Sequence, residues 1–138
     1  SCFGAAFLML DPVIYAKVLM EKMKEHNTSA WLVNTGWTGG PYGTGRRMDL
    51  PSTRRIINSI LDGTINKPAF RKIPVFNLEI PEYVEGVDTK LLDPAETWES
   101  PEKWHSAATE LAGRFVANFN RISSGNEFLK LASFGPVI

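Results

Sequence analysis

Two continuous apolar runs flank a helix with a clear start signal, and this pattern constrains the fold more than any other feature. Phe7, Leu8, Met9 and Leu10 form the first run, and Ala30, Trp31, Leu32 and Val33, closed by Asn34, form the second. A short uninterrupted apolar run is the signature of a strand covered on both faces. Between them, Asp11-Pro12 places a capping carboxylate before a proline at the first helical position. Ile14, Val18 and Met23 share one face of that helix, while Lys17, Glu21, Lys22, Lys24 and Glu25 point to solvent. Asn27 supplies a left-handed stop. Strand, helix and strand within about thirty residues make a βαβ unit, with parallel strands and a right-handed crossover. The predicted class is α/β with a mixed sheet. Such strands expect sheet neighbours, and they leave apolar surface uncovered where neighbours are lacking.

Downstream of 34 the periodicity disappears. Residues 35–50 hold five glycines and form a long loop, a length at which loops are usually functional or disordered. A helix is predicted over 52–62, with Ile56, Ile57, Ile60 and Leu61 as its apolar face and Gly63 as its stop. Residues 73–80 read as a strand, with Pro74 marking an edge or a terminus. Ser100-Pro101-Glu102 repeats the cap–proline–acid start. Trp104, Ala108, Leu111, Phe115, Phe119 and Ile122 then form an amphipathic stripe. A polar break over 123–126 precedes a short final helix that ends before Gly135-Pro136.

Composition narrows the function classes. At 138 residues and 43% hydrophobic content the chain suits one folded domain. Fifteen acidic residues balance fifteen basic ones, which excludes a polyanion-coating protein but leaves room for a local anion site. No apolar run approaches the roughly 20 residues of a membrane span, and no basic segment precedes the first run as in a signal peptide. Cys2 is the single cysteine, so no internal disulfide forms, a reducing compartment is favoured and a buried inert thiol is the default. The chain opens on Ser1-Cys2-Phe3-Gly4 without the polar lead-in usual for a domain, and it reads as part of a longer polypeptide.

The glycine loop is the richest stretch chemically. Gly40-Pro41-Tyr42-Gly43-Thr44-Gly45-Arg46-Arg47 has the glycine spacing of a phosphate-binding P-loop. Arg46 and Arg47 stand where that motif needs lysine and a hydroxyl, so a P-loop is rejected. No third glycine completes a dinucleotide fingerprint. Arg46, Arg47, Arg54 and Arg55 fall within ten residues, opposed only by Asp49. Two of them are placed in the first turn of the predicted helix, where the dipole disfavours cations. Two readings stand: an anion clamp built from guanidinium forks, or arginines of which some pair with carboxylates or extend into water. His26 and His105 lack partners at metal-ligand spacing and read as surface histidines. The four tryptophans read as packing residues, since basic residues do not interleave with them. No nucleophile–base pair is evident, so the catalytic and metal sets are empty in this segment.

Ser1-Cys2-Phe3-Gly4-Ala5-Ala6-Phe7, Trp31-Leu32-Val33-Asn34-Thr35-Gly36-Trp37, and Gly45-Arg46-Arg47-Met48 leading to Thr53-Arg54-Arg55-Ile56-Ile57 together resemble the C-terminal part of ATP-dependent phosphoenolpyruvate carboxykinases. The resemblance continues through Phe76-Asn77-Leu78-Glu79-Ile80-Pro81, Leu92-Asp93-Pro94 and Gly135-Pro136. It implies that residues 1–138 are a partial nucleotide-binding domain, a fragment of a longer enzyme. That enzyme converts oxaloacetate and ATP to phosphoenolpyruvate, ADP and carbon dioxide in gluconeogenesis. It is implied to be cytoplasmic, to use ATP with Mg2+ and a second divalent ion such as Mn2+, and to bind neither nucleic acid nor membrane.

The resemblance places the P-loop, the metal ligands and the oxaloacetate-binding arginine upstream, so the isolated segment is expected to be inactive. Within the segment it implies nucleotide contacts from Arg47, from Met48 as an apolar residue against adenine, and from Thr53 near the base. Position 46 departs from the commonest pattern, with Arg46 in place of lysine and the charge kept. Residues 38–44 resemble an insertion present in some branches. The alternative from another class is a non-catalytic module whose arginine-rich loop binds an anionic partner.

Overall fold

The computed structural model describes residues 4–123 and 127–138. Helices dominate, joined by two small antiparallel hairpins. Helix α1 spans Pro12–Glu25, α2 Leu50–Leu61, α3 Pro94–Thr97 and α4 Pro101–Ser123. Strands β1 (Trp37–Thr38) and β2 (Arg46–Arg47) form one hairpin, and β3 (Phe70–Lys72) and β4 (Glu79–Pro81) form the other. Short 3-10 turns cover Ala5–Phe7, Thr64–Asn66, Thr89–Leu91 and Glu127–Phe134. Cys2 and residues 124–126 of the polar break lie outside the described residues.

The helix signals hold at the capping positions. The Asp11 carboxylate accepts from the Val13 N–H at 2.9 Å, and Asn27 takes the left-handed conformation (φ 49°) just after α1. The Asp49 carboxylate accepts from the Ser52 N–H at 2.8 Å, so α2 starts at Leu50 rather than 52. Gly63 stops it with φ 77°. The short final helix is of the 3-10 type, Glu127–Phe134, and ends before Gly135-Pro136 as expected.

The βαβ unit does not form. Residues 7–10 lead from a 3-10 turn into irregular chain, and residues 30–34 are irregular throughout. Apart from Trp31, which packs on the core, their side chains are largely open, with Phe7 81%, Met9 92% and Leu32 87% exposed, and α1 between them buries no residue. The physical reason is pairing. A strand covered on both faces needs neighbours on its edges, and the ladders formed here join segments close in sequence, whose loops close at small entropic cost. The runs report a demand for burial, which is necessary for a central strand but does not create one. The 73–80 strand is corrected too. Proline at 74 cannot donate to a ladder, Val75 and Asn77 adopt positive φ (70° and 56°), and the chain reverses between β3 and β4.

The core lies under α2 and α4. Ile65, Val84 and Val87 are buried together, with Trp31, Ile56, Ile60, Leu91 and Leu92 packed against them. Trp104, Ala108 and Ala112 bury the first half of α4. Only part of each predicted stripe is covered: Ile57 and Leu61 of α2, and Leu111 and Phe115 of α4, are exposed. Arg71 of β3 pairs with buried Asp93, whose other oxygen accepts from Ala95 N–H at 2.8 Å and so starts α3.

Candidate functional site

Hairpin β1–β2 is a ladder of two pairs, Trp37 opposite Arg47 and Thr38 opposite Arg46. Alone, so short a ladder is marginal in water. Glycines make its connection feasible. A Cβ on Gly45 would lie 2.7 Å from the Thr38 carbonyl oxygen and closer still to that of Gly40. The turn tightens further through the Thr44 and Gly45 N–H groups, which donate to the Pro41 carbonyl at 3.0 and 2.8 Å. The strand pairing continues as Met48 N–H donates to Gly36 C=O at 3.0 Å.

This geometry presents Arg47 at the surface. Its guanidinium carbon sits 5.8 Å from the centre of the Trp37 ring, a cation–π arrangement. Tyr42 meets the same indole edge-on, with ring centres 5.3 Å apart and planes at 86°. Arg46 is exposed beside it. The next turn of chain holds the other two expected residues: Met48 and Thr53 are both half-buried, and Thr53 N–H donates to Asp49 C=O at 3.1 Å within the first turn of α2. The Asp49 carboxyl is held below its ordinary value, chiefly by the Ser52 backbone and side-chain hydrogen bonds, with Arg46 adding a weaker pull. Arg47, Met48 and Thr53 therefore follow one another along a single capped hairpin–helix junction.

The four arginines do not act as one cluster. Arg54 and Arg55 line a separate groove of about 420 Å³ with Asn58, Asp62, Thr64 and Glu85. They lie in the second turn of α2 because the helix begins at Leu50, so the expected dipole penalty on them largely falls away. Ion pairs among the described residues include Lys22–Glu25, His26–Glu25, Arg71–Asp93, Lys103–Glu99 and Arg114–Glu110, and none of these involves the loop arginines. Arg46 lies close enough to Asp49 to act on its charge, and both Arg46 and Arg47 are exposed, so solvent and a ligand both stand as their partners.

Two participants escaped the sequence reading. Trp37 reads as a packing residue but is 41% exposed and carries Arg47 on its face. Thr97, 58–59 residues away, bonds both Thr38 and Gly39. No local pattern marks it. The remaining candidates behave as surface or core groups. His105 lies on the exposed side of α4, Trp104 is buried, and Trp31 packs against Phe70 at 5.9 Å. Among the described residues no three His, Cys, Asp or Glu side chains converge on a point where a metal could bind. No helix among them is long and apolar enough to cross a membrane.

Comparison with known proteins places this geometry in context. The phosphoenolpyruvate carboxykinase family matches the chain over residues 1–90. The protein named phosphoenolpyruvate carboxykinase (ATP) from Leptospira biflexa is 47% identical over 137 residues, covering 99% of this chain and 26% of that relative. Proteins of the same name from Campylobacter jejuni and Caldanaerobacter subterraneus are each 45% identical, over 138 and 136 residues, again covering 26% of their length. The chain spans about a quarter of the length of the curated relatives it matches.

Proposed function

Because the chain belongs to the ATP-dependent phosphoenolpyruvate carboxykinase family, we propose that it supplies the adenine-side wall of the nucleotide site in such an enzyme. The whole enzyme converts oxaloacetate and ATP to phosphoenolpyruvate, ADP and carbon dioxide, a gluconeogenic step of the cytoplasm. In this reading residues 1–138 are part of its nucleotide-binding domain. The apolar runs at 7–10 and 30–34, exposed here apart from Trp31, pair with sheet neighbours from the rest of the polypeptide and complete the mixed α/β sheet.

One observation carries the assignment of the site. Arg47 stands exposed with no carboxylate partner among the described residues, and an aromatic ring fixes its direction beside a glycine turn. A guanidinium prepared in this way is suited to an anionic, planar ligand. Met48 offers an apolar edge to the adenine, and Thr53 a hydroxyl near the base. Phosphoryl transfer depends mainly on positioning and charge stabilisation, so these residues contribute by orienting the nucleotide. In keeping with the family resemblance, the nucleotide's Mg2+ and a second divalent ion such as Mn2+ are assigned to residues elsewhere in the enzyme. The reading as a free-standing anion-binding module has no support from the relatives.

The test is ATP and oxaloacetate kinetics, with melting temperature, for Arg47 variants of the family-length enzyme. Loss of a charge-assisted hydrogen bond in Arg47→Ala weakens nucleotide handling about ten- to a hundredfold. Arg47→Lys recovers part of this, keeping the charge but losing the fork. Unchanged ATP kinetics with a melting temperature lower by many degrees would assign Arg47 a structural role instead.

A further inference from the structure

We propose that Thr97 is the positioning residue of the arginine-bearing hairpin, an inference that rests on the reading of Arg47 as a nucleotide contact. The Thr97 hydroxyl accepts from the Thr38 hydroxyl at 2.9 Å and from the Gly39 N–H at 3.1 Å. It donates its own proton to the Pro94 carbonyl at 3.0 Å. A hydroxyl has one proton and two lone pairs, so all three of its bonding positions are used.

Backbone contact seals the same joint. Gly39 has φ 78°, and a Cβ there would stand 2.8 Å from the Thr97 carbonyl oxygen. The hairpin therefore docks on α3 through a surface that tolerates no side chain at 39. Helix α3 is itself fixed at its other end, because Asp93 starts it and is buried against Arg71 of β3. A continuous path runs from β3, through Asp93 and the single turn of α3, to Thr97 and into β1. Strand β1 pairs directly with β2, where Arg46 and Arg47 sit. Since a two-pair ladder does not hold its own orientation, the Thr97 hydroxyl sets the angle at which β2 presents Arg47. Thr97 touches no reacting group in this scheme and acts only through the hairpin.

The experiment compares Thr97→Val, Thr97→Ser and Thr38→Val in the family-length enzyme, with Arg47→Ala as the reference. Thr97→Val keeps the side-chain shape and leaves two donors without an acceptor, whereas Thr97→Ser keeps the hydroxyl. The expected result is a KM for ATP raised about three- to tenfold in Thr97→Val, with the KM for oxaloacetate changed less than about twofold. Thr97→Ser restores ATP handling, and Thr38→Val, losing one of two donors, shifts it less in the same direction. Thr97→Val adds little to Arg47→Ala when the two are combined, because both act through one contact. An unchanged KM for ATP in Thr97→Val, where Arg47→Ala raises it, would overturn the inference alone. So would equal damage to both substrates that Thr97→Ser fails to relieve. An Arg47→Ala enzyme with unaltered ATP kinetics would overturn the nucleotide reading, and this inference with it.

Discussion

Trp37 and Arg47 stand opposite each other across the β1–β2 ladder, and the indole face holds the guanidinium at 5.8 Å. The tryptophan is half of a two-residue device in which an aromatic shelf limits the directions available to a long, flexible cation. An exposed cation–π contact is a modest interaction. Replacing Trp37 with Leu should therefore raise the KM for ATP about two- to fivefold, well short of the Arg47→Ala effect. Trp37→Phe should fall between wild type and Trp37→Leu. Steady-state kinetics at varied ATP give the ranking, and an effect of Trp37→Leu larger than that of Arg47→Ala would contradict it.

The glycines of the loop should differ in what they tolerate. A Cβ at Gly45 meets the Thr38 and Gly40 carbonyl oxygens, both backbone atoms that cannot move aside cheaply. At Gly43 a Cβ meets nothing within 4 Å, although φ is 90°. Gly43→Ala should cost about 1 kcal/mol, the usual penalty of a positive φ for a side chain. Gly45→Ala should open the turn and abolish the protection of the Met48 amide from hydrogen exchange. Equal exchange behaviour in the two variants would refute the steric assignment.

Asp93 joins two tasks, pairing with Arg71 and capping α3. Asp93 is buried, whereas the Arg71 side chain is 39% exposed and remains partly screened by water. Asp93→Ala should destabilise the fold by about 1–3 kcal/mol, less than a fully buried pair would. Asp93→Asn keeps the cap but weakens the pairing, and should retain more stability. Denaturant unfolding of the three proteins checks the order.

The N-terminus of α2 should be acid-sensitive in a defined direction. The Asp49 carboxyl titrates below its ordinary value of 3.8, chiefly because it accepts from Ser52. A depressed folded-state value means that the contribution is fully present above the unfolded value and fades as pH falls through the folded one. Exchange protection of the Ser52 amide should hold at neutral pH and weaken only below about pH 4. Asp49→Asn, a competent uncharged cap, should remove that dependence, and Asp49→Ala should lose protection at every pH. A pH-independent Ser52 amide in the wild type would contradict the assignment.

Turnover gives the last test. The chain spans about a quarter of the length of its relatives, so the 138-residue chain should not convert oxaloacetate and ATP above a protein-free blank. Measurable turnover by the purified chain would overturn the division of labour proposed for it.

The sequence made local structure legible and left long-range structure hidden. Asp11-Pro12 and Gly63 act within four residues of themselves, and α1 starts and α2 stops where expected, whereas α2 starts two residues early on Asp49, a cap that the sequence reading does not mark. The stretch that carries Arg47 and Met48 stands out through loss of periodicity and local charge, and resemblance adds Thr53, but the β1–β2 pairing inside what reads as a loop does not. Strand pairing was not, because an apolar run does not name its neighbour: 7–10 and 30–34 find none, while β3 and β4 pair across a turn that a single strand was expected to occupy. Thr97 was invisible because its bonds reach back 58 and 59 residues, and a threonine after a short acidic turn carries no mark of such a role.

The openness of α1 and its flanking runs bears on how this polypeptide behaves as a solute. Phe7, Met9, Leu19 and Leu32 present apolar surface to water, while the formal net charge at pH 7 is zero. Molecules of this kind have no long-range repulsion to keep such patches apart, so collisions at neutral pH are free to become contacts. Colloidal stability should be poorest near neutrality, improve as pH moves several units to either side, and gain little from lower ionic strength at the minimum.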